Sequence, residues 1–144
     1  MIFPLLCASF AAILTNLKVI RDFVEKSAHY LQVPKTMIDD VVQAVDEAVT
    51  NIILHGYAGQ EGMVDVELER QGQALFVRLR DQAPLFDPTT IPSPDLSLSL
   101  EQRRPGGLGI YLIRQLTDQI QYHSLAERGN ELTLVKLLSR EENN

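Results

Sequence analysis

The sequence predicts an α+β protein in which an antiparallel or mixed sheet is covered by helices on one face. Three observations carry that expectation. Apolar residues recur at the helical period in two stretches, residues 17–31 and 35–56. Met63 to Glu69 and Ala74 to Arg80 alternate apolar and polar residues, as half-buried strands do. The resulting order is strand, two helices, hairpin, helix, hairpin, which lets sequence neighbours pair antiparallel. At 144 residues, one domain spanning residues 1–144 with a sizeable core is expected.

Residues 2–12 are nearly all apolar and read as a buried first strand. No Lys or Arg precedes this run and Pro4 interrupts it, so it lacks a signal peptide's basic start. It is also too short to span a membrane. Thr15 or Asn16 can cap a first helix carrying Leu17, Ile20, Phe23, Val24 and Ala28. Pro34 opens the next turn. A second helix starts at Lys35 or Thr36, carries Ile38, Val41, Val45, Val49 and Ile53, and ends near Gly56. Asp39 and Asp40 are expected in its first turn, where the macrodipole favours carboxylates.

Gln71-Gly72 turns the hairpin between the two alternating strands. Residues 82–105 then hold five prolines, several serines and threonines, and no period. A loop of that length inside a compact domain is uncommon and usually functional or disordered. Gly106-Gly107-Leu108-Gly109 ends it and opens a third helix, Ile110 to Gln119. Two last strands, about 119–126 and 131–138, join at Arg128-Gly129-Asn130, and a frayed tail follows from Ser139.

Composition narrows the function. The net charge of −6 argues against a nucleic-acid binder. The single Cys7 rules out an intrachain disulfide and cysteine-held zinc, and suits a reducing cytoplasm. His29, His55 and His123 show no metal-ligand spacing.

Chemistry concentrates in three places. Glu47, Asn51 and His55 lie four residues apart on a helix, so each is displaced about 40° from the last and all three project from one side. A carboxylate beside an amide oxygen suits a magnesium–phosphate site, and Glu47 could polarise an attacking hydroxyl. The same trio also fits a solvated helix flank with His55 near the C-cap. The glycines at 106, 107 and 109 let backbone N–H groups approach an anion at a helix N-terminus, or form an ordinary flexible turn. Asp81 ends a strand at the mouth of the long loop. It either starts a turn or accepts a hydrogen bond from a base amino group.

Taken in order, these motifs resemble the ATPase superfamily of gyrase, histidine kinases and mismatch-repair ATPases (GHKL). Within it, the chain is similar to the bacterial anti-sigma-factor serine/threonine kinases. Glu47 to Tyr57 resembles the family's N box, Asp81 to Pro88 its first glycine box, and Gly106 to Ile113 its second. Gly129-Asn130-Glu131-Leu132-Thr133-Leu134 resembles its closing strand. The likeness runs from about Ile13 to Leu138.

The resemblance implies an α/β two-layer sandwich, the Bergerat ATP-binding fold, with residues 82–105 as a lid. It implies ATP and Mg²⁺ as cofactors, Glu47 as general base and Asn51 as Mg²⁺ ligand. Asp81 would bond the adenine amino group with support from Thr133. Gly107, Leu108 and Gly109 would approach the phosphates, and Gly106 would hinge the lid. Arg103 and Arg104 would either meet phosphate or be solvated. The family's glycine two positions after the aspartate is Ala83 here, followed by Pro84. Alanine fits if φ stays negative, so base binding is expected to be kept but weakened.

The implied function is a cytoplasmic, homodimeric protein kinase. It would capture a sigma factor and phosphorylate that factor's STAS-type anti-anti-sigma antagonist, with no direct contact to nucleic acid or membrane. Ala83 motivates an alternative: a nucleotide-responsive protein-binding switch without kinase turnover. A histidine-kinase phosphotransfer half is disfavoured, because the helix bearing His29 is too short and too near the N-terminus to be a dimerisation helix with a phosphorylatable histidine.

Overall fold

The fold is that of a computed structural model, which describes residues 2–92 and 107–139. Gly106, Arg103, Arg104, the rest of the expected lid from 93 onward and the tail from 140 lie outside the described residues. Five strands form one sheet: β1 (Leu6–Ala11), β2 (Met63–Gln71), β3 (Ala74–Asp81), β4 (Gln119–Ser124) and β5 (Asn130–Leu137). Their spatial order is β1-β2-β3-β5-β4, with every neighbouring pair antiparallel. Of the two sheet types the sequence allowed, the antiparallel one is present.

Three helices, α1 (Leu17–Tyr30), α2 (Lys35–Asn51) and α3 (Gly107–Leu116), supply the second layer. The core joins Ile20, Val24, Val45 and Val49 from the helices to Val64, Val66, Leu68, Leu75, Leu79 and Leu134 from the sheet. Because side chains alternate along a strand, the intervening residues form the other face. There Arg78 and Arg80 bind Glu67, Glu69 and Glu131 at 2.7–2.9 Å.

Several local expectations need correction. The first strand is neither 2–12 nor fully buried. It is the edge strand Leu6–Ala11, paired with β2 alone among the described residues, and the residues on its outer face are exposed. Asp39 and Asp40 are not in the first turn of α2, because that helix already begins at Lys35. They fall one turn later, where Asp40 meets Lys136 at 3.3 Å. The second helix ends near Gly56 as expected, but not as a plain α-helix: after Asn51 it widens into a π turn, Ile52–Tyr57, closed by Ala58 in the left-handed region. The third helix begins three residues early, inside the glycine turn, and ends at Leu116.

Candidate functional site

The site lies between α2, the start of α3 and the inner face of the β3–β5–β4 edge. A cleft of about 210 Å³ opens there, with largely apolar walls. Ala48, Ile52 and Ile110 form the helical side, Leu132 the sheet side, and Phe86 and Ile91 the outer side.

Asp81 occupies the deep end. It is only 7% exposed, and Oδ1 accepts hydrogen bonds from the Ala83 backbone N–H at 3.0 Å and Asn130 Nδ2 at 2.9 Å. Among the described residues, Oδ2 has no partner. Burial pushes the Asp81 carboxyl above the usual range, while the Asn130 and Ala83 donors pull the other way. A buried carboxylate with one oxygen open to an apolar slot is a ready acceptor for a ligand N–H.

Asn130 is the residue that sequence reasoning missed. Its Nδ2 also donates to the carbonyls of Ala83 (3.1 Å) and Pro84 (3.3 Å), and its Oδ1 accepts from the Phe86 N–H at 3.1 Å and from the Tyr122 hydroxyl. Gly129 makes this approach possible. Its φ of +100° places Asn130 beside Asp81, and a Cβ there would fall 1.9 Å from the Asp81 carbonyl oxygen. Thr133, the expected support for Asp81, points away. It pairs in register with Arg78 and Gln121 on the opposite face of the sheet. The strand period carried the signal, since Asn130, Leu132 and Leu134 share a face that Thr133 cannot.

Ala83 keeps a negative φ, as its accommodation requires. It is buried and lines the cleft. The π turn is fastened to the same end: the Tyr57 hydroxyl accepts from the Gln82 N–H at 2.8 Å and donates to the Met63 carbonyl at 2.7 Å. Wide π turns often mark functional positions in helices.

The other end is built by α2 and α3. Asn51 lines the cleft, and Glu47 lies one turn before it. The first turn of α3 crosses both side chains closely. A Cβ on Gly109 would stand 3.3 Å from Glu47 Oε1 and 3.3 Å from Asn51 Nδ2, so the missing side chain permits the crossing. Neither Glu47 nor Asn51 has a hydrogen-bond partner among the described residues. Burial, and then the adjacent Asp46, raise the Glu47 carboxyl above its usual range. Asp46 is itself held by Arg21 at 2.8 Å. Gly107 and Leu108 belong to the helix backbone at this end. His55 sits near the end of the π turn, exposed, on the cleft rim.

Comparisons with known proteins bear on the family and on the fold. The family model of the histidine kinase-like ATPase domain matches residues 10–136. The chain belongs to that family. Among curated proteins, this ATPase domain is 29% identical over 102 residues to the anti-sigma F factor of Clostridium kluyveri, covering 71% of this chain and 72% of that one. It is 32% identical over 110 residues to the serine-protein kinase RsbW of Listeria monocytogenes, covering 73% and 69% respectively. A crystal structure of the RsbU and RsbW domains of a Mycobacterium tuberculosis protein shares the fold, with a TM-score of 0.68 at 19% identity. That likeness covers 96% of this chain, which spans about a third (33%) of the solved one. Membership of this family implies that the chain binds ATP. No helix among the described residues is long and apolar enough to cross a membrane.

Proposed function

We propose that this chain is an ATP-dependent serine/threonine-protein kinase and anti-sigma regulatory factor. It sequesters a sigma factor and phosphorylates the STAS-type anti-anti-sigma antagonist of that factor, which leaves the sigma factor captive. The observation that carries this reading is the pairing of Glu47 and Asn51, both without protein partners among the described residues, at the crossing of Gly109 beside the Asp81 cleft. Relatives named anti-sigma factor and serine-protein kinase, at about 30% identity, support it.

The residues present fit ATP. The slot is apolar, and its buried acceptor, Asp81 Oδ2, matches an adenine amino group. They also fit Mg²⁺, which binds through few protein oxygens and completes its shell with phosphates and water; the Asn51 amide oxygen is such a ligand. Bound together, ATP and Mg²⁺ supply a transferable γ-phosphoryl group and neutralise its charge. Asp81 selects and orients the base, and Asn130 fixes the carboxylate that does so. The backbone of Gly107, Leu108 and Gly109 opens α3 toward the phosphates, where helix N–H groups favour anions. Glu47 accepts the hydroxyl proton of the substrate serine or threonine. Its raised pKa makes it a stronger base than a solvated carboxylate, and a positioned base of this kind contributes about 10²–10⁴-fold.

In this reading residues 1–144 work as one domain, in the cytoplasm and as a homodimer. It contacts neither nucleic acid nor membrane, in keeping with its net charge of −6. Ala83, the motive for the switch without turnover, keeps a negative φ and still donates its N–H to Asp81, which favours retained base binding and hence the kinase. The test is radiolabel transfer from ATP to a STAS-type anti-anti-sigma protein of the same organism, comparing wild type with Glu47→Ala. Transfer by wild type alone supports the reading, and equal transfer by both removes Glu47 as base.

A further inference from the structure

The outer wall of the cleft is the run 84–91, from which Pro84, Phe86, Pro88 and Ile91 face inward. It lies outside the sheet, with one short 3₁₀ turn at Pro88–Thr90. Two side chains from other elements grip it. Asn130 holds one end through Pro84 and Phe86. At the other end Arg114, in the last turn of α3, donates Nη2 to the Thr89 carbonyl at 2.8 Å and Nη1 to the Ile91 carbonyl at 3.2 Å. Between the two grips, Asp87 caps the turn by accepting from the Thr89 N–H at 2.8 Å.

Arg114 has no carboxylate partner among the described residues. Its rigid fork of donors instead spans two main-chain carbonyls, a geometry a lysine cannot reproduce. The position near the C-terminus of α3 suits its charge. The same helix carries Gly109 against Glu47 and Asn51 at its other end. One helix therefore touches both the phosphate-end residues and the base-end wall.

We propose that Arg114 is a positioning residue for the nucleotide base: by gripping Thr89 and Ile91 it holds the apolar wall of the cleft in place from α3. The inference rests on the nucleotide-binding reading given above. Arg114 acts on the base through Ile91 and Pro88 and makes no contact with phosphate. Its effect is therefore common to every ligand that carries adenine.

The test is equilibrium binding of ATP, ADP and adenosine to the full chain as wild type, Arg114→Met, Arg114→Lys, Ile91→Ala and the Arg114→Met/Ile91→Ala double variant. Arg114→Met is expected to raise Kd about tenfold for all three ligands, since two hydrogen bonds from a charged donor are lost. Arg114→Lys recovers part of the loss. The double variant adds little to the larger single effect, because both changes act on one wall. A loss confined to ATP and ADP would overturn the proposal in favour of a phosphate contact. Additive losses, or a lowered Tm with unchanged Kd values, would overturn it in favour of a purely structural role. Wild type that binds none of the three ligands would remove the nucleotide reading itself. Wild type and Arg114→Met that bind equally would remove only the role of Arg114.

Discussion

The two ends of the cleft are built on opposite plans. At the base end Asp81, Ala83, Pro84, Phe86, Tyr122 and Asn130 form a closed hydrogen-bond network that leaves one buried carboxylate oxygen open. At the phosphate end Glu47 and Asn51 stand side by side without protein partners among the described residues, crossed by a glycine. In the proposed reading, recognition of the base is thus preorganised by this network. The groups assigned to chemistry are left with hydrogen-bonding capacity that only ligand, metal and substrate can fill. The difference predicts that damage to one end changes affinity and damage to the other changes rate.

The largest effect is expected at Glu47. Glu47→Gln keeps the size of the side chain and removes the base, so phosphotransfer should fall by about 10²–10⁴-fold. ATP affinity, measured by calorimetry, should stay within a few-fold. Next comes Asp81→Asn, which can turn an N–H toward the slot where an acceptor is needed. A buried mismatch of this kind should weaken ATP binding by about 10–100-fold. GTP, which carries a carbonyl in place of the adenine amino group, should lose less, and a competition assay reads the ratio.

A smaller effect follows from pH. The Asp81 pKa is raised in the folded state, so the folded protein takes up this proton more readily than the unfolded chain. The burial of ionised Asp81 therefore destabilises the apo protein at neutral pH, and that penalty fades as pH falls through the raised pKa. ATP binding should change in the opposite direction, because a protonated Asp81 loses acceptor capacity. Among the described residues, His55, Tyr57, Tyr122 and Asp87 are the other titratable groups near this end. Titrations of ATP affinity from neutral to acid pH should show the loss in wild type and not in Asp81→Asn.

The smallest effect is expected at Gly109. In Gly109→Ala the new methyl meets Glu47 Oε1 and Asn51 Nδ2 at 3.3 Å, so both must yield slightly. Phosphotransfer should drop several-fold. Stability should not fall with it, because alanine favours a helix over glycine by about 1 kcal/mol. Thermal melts beside transfer assays would show the two moving independently.

The sequence made much of this legible. Helical and strand periods located β2, β3 and the bulk of α1 and α2, because each is amphipathic and faces one core. The Glu47–Asn51 spacing placed both side chains on one helix flank, where they are found. The π turn left no mark in the periodicity, since one widened turn is shorter than the window that reveals a period. The resemblance implied Thr133, but strand parity puts it on the other face from Asn130, because a position three residues along a strand faces the opposite way. Arg114 was silent because its partners are backbone carbonyls, which any residue can supply.

The central claim is that affinity and chemistry reside at separate ends of one cleft. Single-turnover phosphotransfer to the antagonist, run across ATP concentrations for wild type, Asp81→Asn and Glu47→Gln, tests it most directly. The account predicts that Asp81→Asn shifts the half-saturating ATP concentration while its plateau rate stays near wild type, and that Glu47→Gln loses the plateau rate with its half-saturation unmoved. Variants that both lose rate and affinity together, or a Glu47→Gln plateau equal to wild type, would contradict it.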